Sequence, residues 1–128
     1  MIDRDISAWV QSLGIGFTAV NTFVGILPDT PDICCTVIGT PGRSPRETHD
    51  GGRIDLGRVA VWVRHPTYAT AQSALWSVYE AACAFANSPA GDNDYLALVP
   101  LQPPFLLQRD ASNRVVMAMN VEATRKVA

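Results

Sequence analysis

The sequence predicts an α+β fold, a mostly antiparallel mixed sheet covered by one long helix plus a short N-terminal helix. Three observations carry that expectation. Val59, Val61 and Val63 alternate with Arg58, Ala60, Trp62 and Arg64, the period of a strand whose two faces differ. His65-Pro66 stops this strand, and Tyr68, Ala71, Leu75, Val78, Tyr79, Ala82 and Phe85 then recur at three- and four-residue steps, the pattern of an amphipathic helix over 67–87. Towards the end, Val115, Met117, Met119, Val121 and Ala123 alternate with Arg114, Val116, Ala118, Asn120 and Glu122, giving another strand with one buried face. Runs of strands around one long helix fit a sheet with its helices on a single face.

In chain order, residues 1–13 read as a short helix. Ile2, Ile6, Trp9, Val10 and Leu13 form its stripe, Asp3 and Asp5 suit the positive end of its dipole, and Gly14 and Gly16 end it. Residues 17–27 are rich in Val, Thr and Phe and read as extended. The turn Pro28-Asp29-Thr30-Pro31-Asp32 follows, its carboxylates expected to accept local backbone hydrogen bonds. Residues 33–40 form a strand apolar enough to be covered on both faces. Residues 41–57 show no apolar period and read as a long loop, which in a domain of this size points to function. Thr67 is placed to cap the long helix through its hydroxyl. Residues 88–94 read as a polar loop and 95–101 as a strand. Gln102-Pro103-Pro104 marks an edge, a bulge or a bend, since two prolines cannot sit in a central ladder. Residues 105–108 resume an extended run, 109–114 turn, and 125–128 are a frayed tail.

A chain of 128 residues suits a single domain over 1–128 with one two-layer core. The net charge of -2 argues against nucleic acid as a main partner, and nothing in the chain reads as direct sequence-specific nucleic-acid recognition. No apolar run approaches the ~20 residues that span a bilayer, and no leader opens the chain, so a soluble protein made in the cytoplasm with no membrane partner is expected. The three cysteines, Cys34, Cys35 and Cys83, lack metal-ligand spacing and read as buried small hydrophobes.

Catalytic chemistry is not in view. His49 and His65 have no HExxH or Cys/His spacing, Gly14-Ile15-Gly16 lacks the rest of a dinucleotide fingerprint, and no nucleophile elbow or phosphate loop is present. The chain reads as a non-enzyme without cofactor or metal; an enzyme or small-molecule binder would have to use His49, Asp50, Gly51 and Gly52. An Arg-rich loop and a strand face carrying Trp62 stand out instead, and Arg and Trp are favoured at protein interfaces. The candidate interface residues are Arg43, Arg46, Glu47, Arg53, Arg58, Trp62 and Arg64.

Several short motifs keep a particular order along the chain. Leu27-Pro28-Asp29 with Pro31-Asp32 precedes an apolar strand, and Thr40-Pro41-Gly42 leads to Pro45. Residues 59–64 are followed by Tyr68 and Ala71; Gln102-Pro103-Pro104-Phe105, Arg109-Asp110, Arg114 and Asn120-Val121 complete the series. In that order, over residues 27–121, the chain resembles the minor capsid or tail-terminator family of long-tailed bacteriophages. It departs from the family at Pro41, where a glycine-rich turn is usual, and at Gln108, where the family tends to have Gly. The resemblance implies a virion protein of the tail or neck, made in the host cytoplasm. It further implies a six-fold ring of copies on the head-proximal end of the tail tube. That ring stops tube polymerisation and offers a surface for head–tail joining. The partners so implied are the chain itself, the tail tube protein and the head connector or neck protein. A head-completion or connector protein of the neck is the alternative.

Overall fold

The computed structural model describes residues 2–47, 49 and 51–127. Its elements are α1 (Ile2–Ser12), β1 (Thr22–Val24), β2 (Cys34–Glu47), β3 (Arg53–His65), α2 (Tyr68–Cys83), β4 (Ser88–Ala90), β5 (Asn93–Tyr95), β6 (Ala97–Pro100), β7 (Phe105–Arg109) and β8 (Val115–Val127). The fold is α+β, with two helices on a mostly antiparallel mixed sheet. Six strands form that sheet in the order β1-β2-β3-β8-β6, with β7 also paired to β8. β1 runs parallel to β2, and the other pairings in the sheet are antiparallel.

The alternations seen in sequence sort the side chains as expected. Val59, Val61 and Val63 of β3 and Val115, Met117, Met119, Val121 and Ala123 of β8 are buried with Cys35 and Val37 of β2. Ile6, Trp9 and Val10 of α1 and Ala71, Leu75, Val78 and Ala82 of α2 close over them. Both helices therefore lie on one face. Trp9 meets Phe85 edge to face, ring centroids 6.1 Å apart, which joins α1 to the chain leaving α2.

The long helix is shorter than its pattern, 16 residues ending at Cys83, so Cys83 is exposed and not the buried hydrophobe expected. Thr67 takes the N-cap position but its hydroxyl makes no cap bond. His65 supplies a partner there instead, its Nδ1 accepting the Thr67 N–H at 3.1 Å. Extended pairing over 17–27 shrinks to three residues, because Phe17 turns into the core and Gly16 and Gly25 adopt positive φ on either side. The loop expected over 88–94 contains a small hairpin, β4-β5, with Gly91 (φ +61) in its turn.

That hairpin is tied to α1 through Asp5, a buried carboxylate. It accepts hydrogen bonds from the Tyr95 hydroxyl at 2.6 Å, from Asn93 Nδ2 at 2.8 Å and from the Asp92 N–H at 3.4 Å. Burial, reinforced by this bond to Asp5, holds the Tyr95 phenol above its ordinary pKa. Asp5 is thus a fastening point more than a partner of the helix dipole. Gly91 is required twice, for its φ and because a Cβ there would stand 2.8 Å from Asp5 Cα.

Candidate functional site: a projecting arm and the open sheet face

The segment 41–57 is not a loop. β2 continues to Glu47 and β3 begins at Arg53, so the two strands pair outwards as far as Glu47 opposite Arg53. β8 follows them, Arg53 facing Val127, and the supposed frayed tail is strand as far as that residue. The result is a three-stranded arm. Its β2 residues 41–47 are exposed throughout, so no apolar period marks them. Register shifts between Thr40 and Arg43 and between Arg43 and Arg46 also break the two-residue alternation.

At the base of the arm sits Glu122, which is not among the residues expected from sequence. Its buried carboxylate takes a two-pronged contact from Arg43, Nη2 to Oε1 at 2.6 Å and Nε to Oε2 at 3.0 Å, and a third bond from Arg58 Nε at 3.0 Å. The hydrogen bonds from Arg43, ahead of burial acting the other way, hold Glu122 below the usual carboxylate range. Two of the candidate interface arginines are therefore internal partners that fix the arm to the sheet. The signal was present but faint, since Arg58 and Glu122 each lie on the polar phase of an alternating strand. Their pairing needs the β3-β8 register, which sets Arg58 opposite Glu122.

This contact gives the arm a pH response. A carboxylate whose pKa is lowered by folding stabilises the fold above its unfolded value, here near 4.5, and that contribution fades as pH falls through the lower folded value. Thermal unfolding followed from pH 7 to pH 3 should show stability dropping on the acid side of pH 4.5. The Glu122→Gln variant should show a shallower drop. Parallel curves for the two chains would remove Glu122 from the arm's support.

The other predicted residues fall differently. Arg46 and Glu47 are exposed on the arm, and Arg53 pairs with Asp55 at 2.9 Å on its surface. His49 is exposed beyond the end of β2, while Asp50 lies outside the described residues. Trp62 is half-buried on the sheet face turned away from both helices. There Phe23, Thr36, Trp62, Ala118 and Phe105 stand in register across five strands.

Arg64 is turned into the chain. It is 2% exposed, donating from Nη2 to Pro31 O at 2.5 Å and from Nε to Asp32 O at 3.3 Å. A guanidinium so enclosed serves the fold. It shares its task with buried Arg114, which binds Asp110 Oδ2 at 2.7 Å, Asp29 Oδ1 at 2.9 Å, Asp32 Oδ1 at 2.9 Å and the Asp29 carbonyl at 2.6 Å. Asp29 and Asp32 are thus held by Arg114, in place of the local turn bonds expected of them. The two arginines fasten residues 29–32 over one end of the open face. They also bring together motifs far apart in sequence: Asp29, Asp32, Arg64, Asp110 and Arg114.

Among the described residues, no group of three or more His, Cys, Asp or Glu side chains is placed to hold a metal ion. Burial raises the Cys35 thiol to about 12, which leaves it inert at neutral pH. No described helix is long and apolar enough to cross a membrane.

A family model described as bacteriophage tail terminator protein matches residues 9–127. No curated protein matches the chain. Among solved structures, a chain from the virion of a native gene transfer agent particle is similar, with a TM-score of 0.61 and 12% identity over 94% of each chain. At that identity the likeness establishes a shared fold.

Proposed function

The chain belongs to the bacteriophage tail terminator family, and from that premise we propose that copies of it close into a six-fold ring on the head-proximal end of the tail tube. Membership makes it a structural protein of the virion tail, a non-enzymatic role. In the proposed reading the ring stops tube polymerisation and then provides the surface to which the head connector or neck protein joins. The whole chain, 1–128, acts as a single domain, assembled in the host cytoplasm. The family match over residues 9–127 carries the proposal.

The structure supplies parts suited to it. A ring of identical subunits needs heterologous contacts, one patch meeting a different patch on the neighbour. The arm projects exposed Arg46, Glu47 and Arg53 from a base braced by Arg43, Arg58 and Glu122. We assign the exposed arm residues to contacts with a neighbouring subunit or the tube, with Arg43 and Arg58 setting the arm's direction. Half-buried Trp62 remains a contact residue on the open face, and Arg64 leaves the set. The similar chain from a gene transfer agent virion fits the reading of a virion protein.

Replacing Arg46, Glu47 and Arg53 together by Ala should leave the thermal unfolding midpoint within a few degrees, as exposed ion pairs contribute little. The same chain should fail to give joined particles of normal tail length. Particles of normal length and yield from the triple variant would remove the arm from the contact surface.

A further inference from the structure

We propose that the hollow between the head of α1 and the root of the arm docks a segment of another protein. The segment presents an aliphatic side chain beside a carboxylate, and Arg125 holds the carboxylate. That the occupant is a protein segment rests on the chain's role in a virion tail. The shape and charge of the hollow do not depend on that role.

The hollow arises from the same alternation that builds the core. On the helix side of β3 the buried phase Val63, Val61 and Val59 continues as Gly57, Asp55 and Arg53. On β8, Met119 and Val121 are followed in the same phase by Ala123 and Arg125. In register, Gly57 stands opposite Ala123 and Asp55 opposite Arg125. The smallest side chains therefore follow the last large ones, and they do so where the cover of α1 begins at Ile2. A space of about 450 Å³ is left, within the size range of ligand sites, with Gly39 and Tyr95 also lining it. Ile2 shows what kind of group the floor accepts. Its side chain lies over Gly57, so close that a Cβ on Gly57 would collide with Ile2 Cδ1.

Charge decides the rest. Asp3, Arg53, Asp55 and Arg125 line the hollow. Asp55 is the cross-strand neighbour of Arg125, yet its two oxygens go to Arg53, at 2.9 Å from Nε and 3.5 Å from Nη2. Asp3 accepts the Arg4 N–H at 2.8 Å. Asp5, behind Tyr95, already takes the Tyr95 hydroxyl, the Asn93 amide and the Asp92 N–H. Arg125 is half-buried and makes no hydrogen bond or ion pair among the described residues. Its guanidinium keeps its whole fork of N–H donors, and a carboxylate matches such a fork with a bidentate contact. A phosphate group fits less well, because its second negative charge would meet Asp3 and Asp55 on the rim. An aliphatic side chain on the floor of small residues, with a single negative charge at Arg125, satisfies both features of the hollow at once.

The test is amide NMR of the isotope-labelled full chain, titrated with three blocked dipeptides. These are acetyl-Leu-Leu with a free carboxylate, the same dipeptide as its carboxamide, and acetyl-Leu-Glu carboxamide. At least one of the two acids should shift the Gly39, Gly57 and Ala123 amides saturably. Binding of the first identifies a chain terminus as the source of the carboxylate, and binding of the second an internal acidic residue. The Leu-Leu carboxamide should bind roughly tenfold more weakly or worse, and so should the acids on an Arg125→Gln chain whose other amide signals are unchanged. The carboxamide comparison uses the unaltered chain, so it decides the matter even if the variant misfolds. No shifts from either acid, shifts centred outside the hollow, or equal binding of acid and carboxamide would overturn the site. Undiminished binding by a folded Arg125→Gln chain would do the same. Tail termination is read separately, from tail lengths, so failure here leaves that reading standing.

Discussion

Replacing Arg64 with Met should lower the unfolding free energy by roughly 2–4 kcal/mol, because it removes the donors that serve two carbonyls beneath residues 29–32. The side chain is almost wholly enclosed, and its guanidinium reaches both Pro31 O and Asp32 O. Met keeps much of the stem, so packing is largely spared and the loss reports on the hydrogen bonds. Arg64→Lys should recover only part of it, since an ammonium cannot present two donors in the geometry of the guanidinium fork. Loosening residues 29–32 should also uncover Cys34, which faces Arg64 across β2 and β3. Faster labelling of Cys34 by a thiol reagent would accompany the loss. A change below about 1 kcal/mol with no gain in labelling would mean the turn is held by Arg114 alone.

Asp5→Ala should be comparably damaging, by roughly 2–4 kcal/mol, with the loss concentrated in the β4-β5 hairpin. Tyr95 is 2% exposed, and its hydroxyl points at Asp5 Oδ2. Taking the carboxylate away leaves a buried hydroxyl and the Asn93 amide without their acceptor. Tyr95→Phe alone should cost less, about 1 kcal/mol, and adding it to Asp5→Ala should restore part of the loss by removing the orphaned hydroxyl. Chemical denaturation of the four chains reads this directly. Strict additivity would mean that the two groups do not depend on each other.

How much of this was legible follows from which residues bury one face. β3 and β8 declared themselves because Val59, Val61, Val63 and Met117, Met119, Val121 alternate with a different set. The proline pair was read correctly as an edge break: β6 and β7 share one side of β8, and Leu101 N–H still bonds Asn120 O at 2.8 Å between them. Gln108, flagged as a departure from the family, falls at a register shift in β7.

The arm was illegible for a physical reason. Residues 41–47 have no buried face, so hydrophobic periodicity has nothing to report, and what fixes their conformation is pairing with β3. The roles of Glu122 and Arg114 were hidden in the same way. Each gathers partners from strands or turns more than sixty residues away, through a register that periodicity does not reveal. Arg64 was grouped with the interface candidates because it shares a strand face with Arg58 and Trp62. Residues 29–32 cover it, and their carbonyls make a buried arginine tolerable.

The central claim is that this protein ends the tail tube. Electron microscopy of lysates in which its gene is switched off tests that claim most directly, through the distribution of tail lengths. Overlong or irregular tubes beside filled, tailless heads are the predicted result. Tails of normal, uniform length that never join heads would contradict termination and assign the protein to the connector, and intact particles would contradict both.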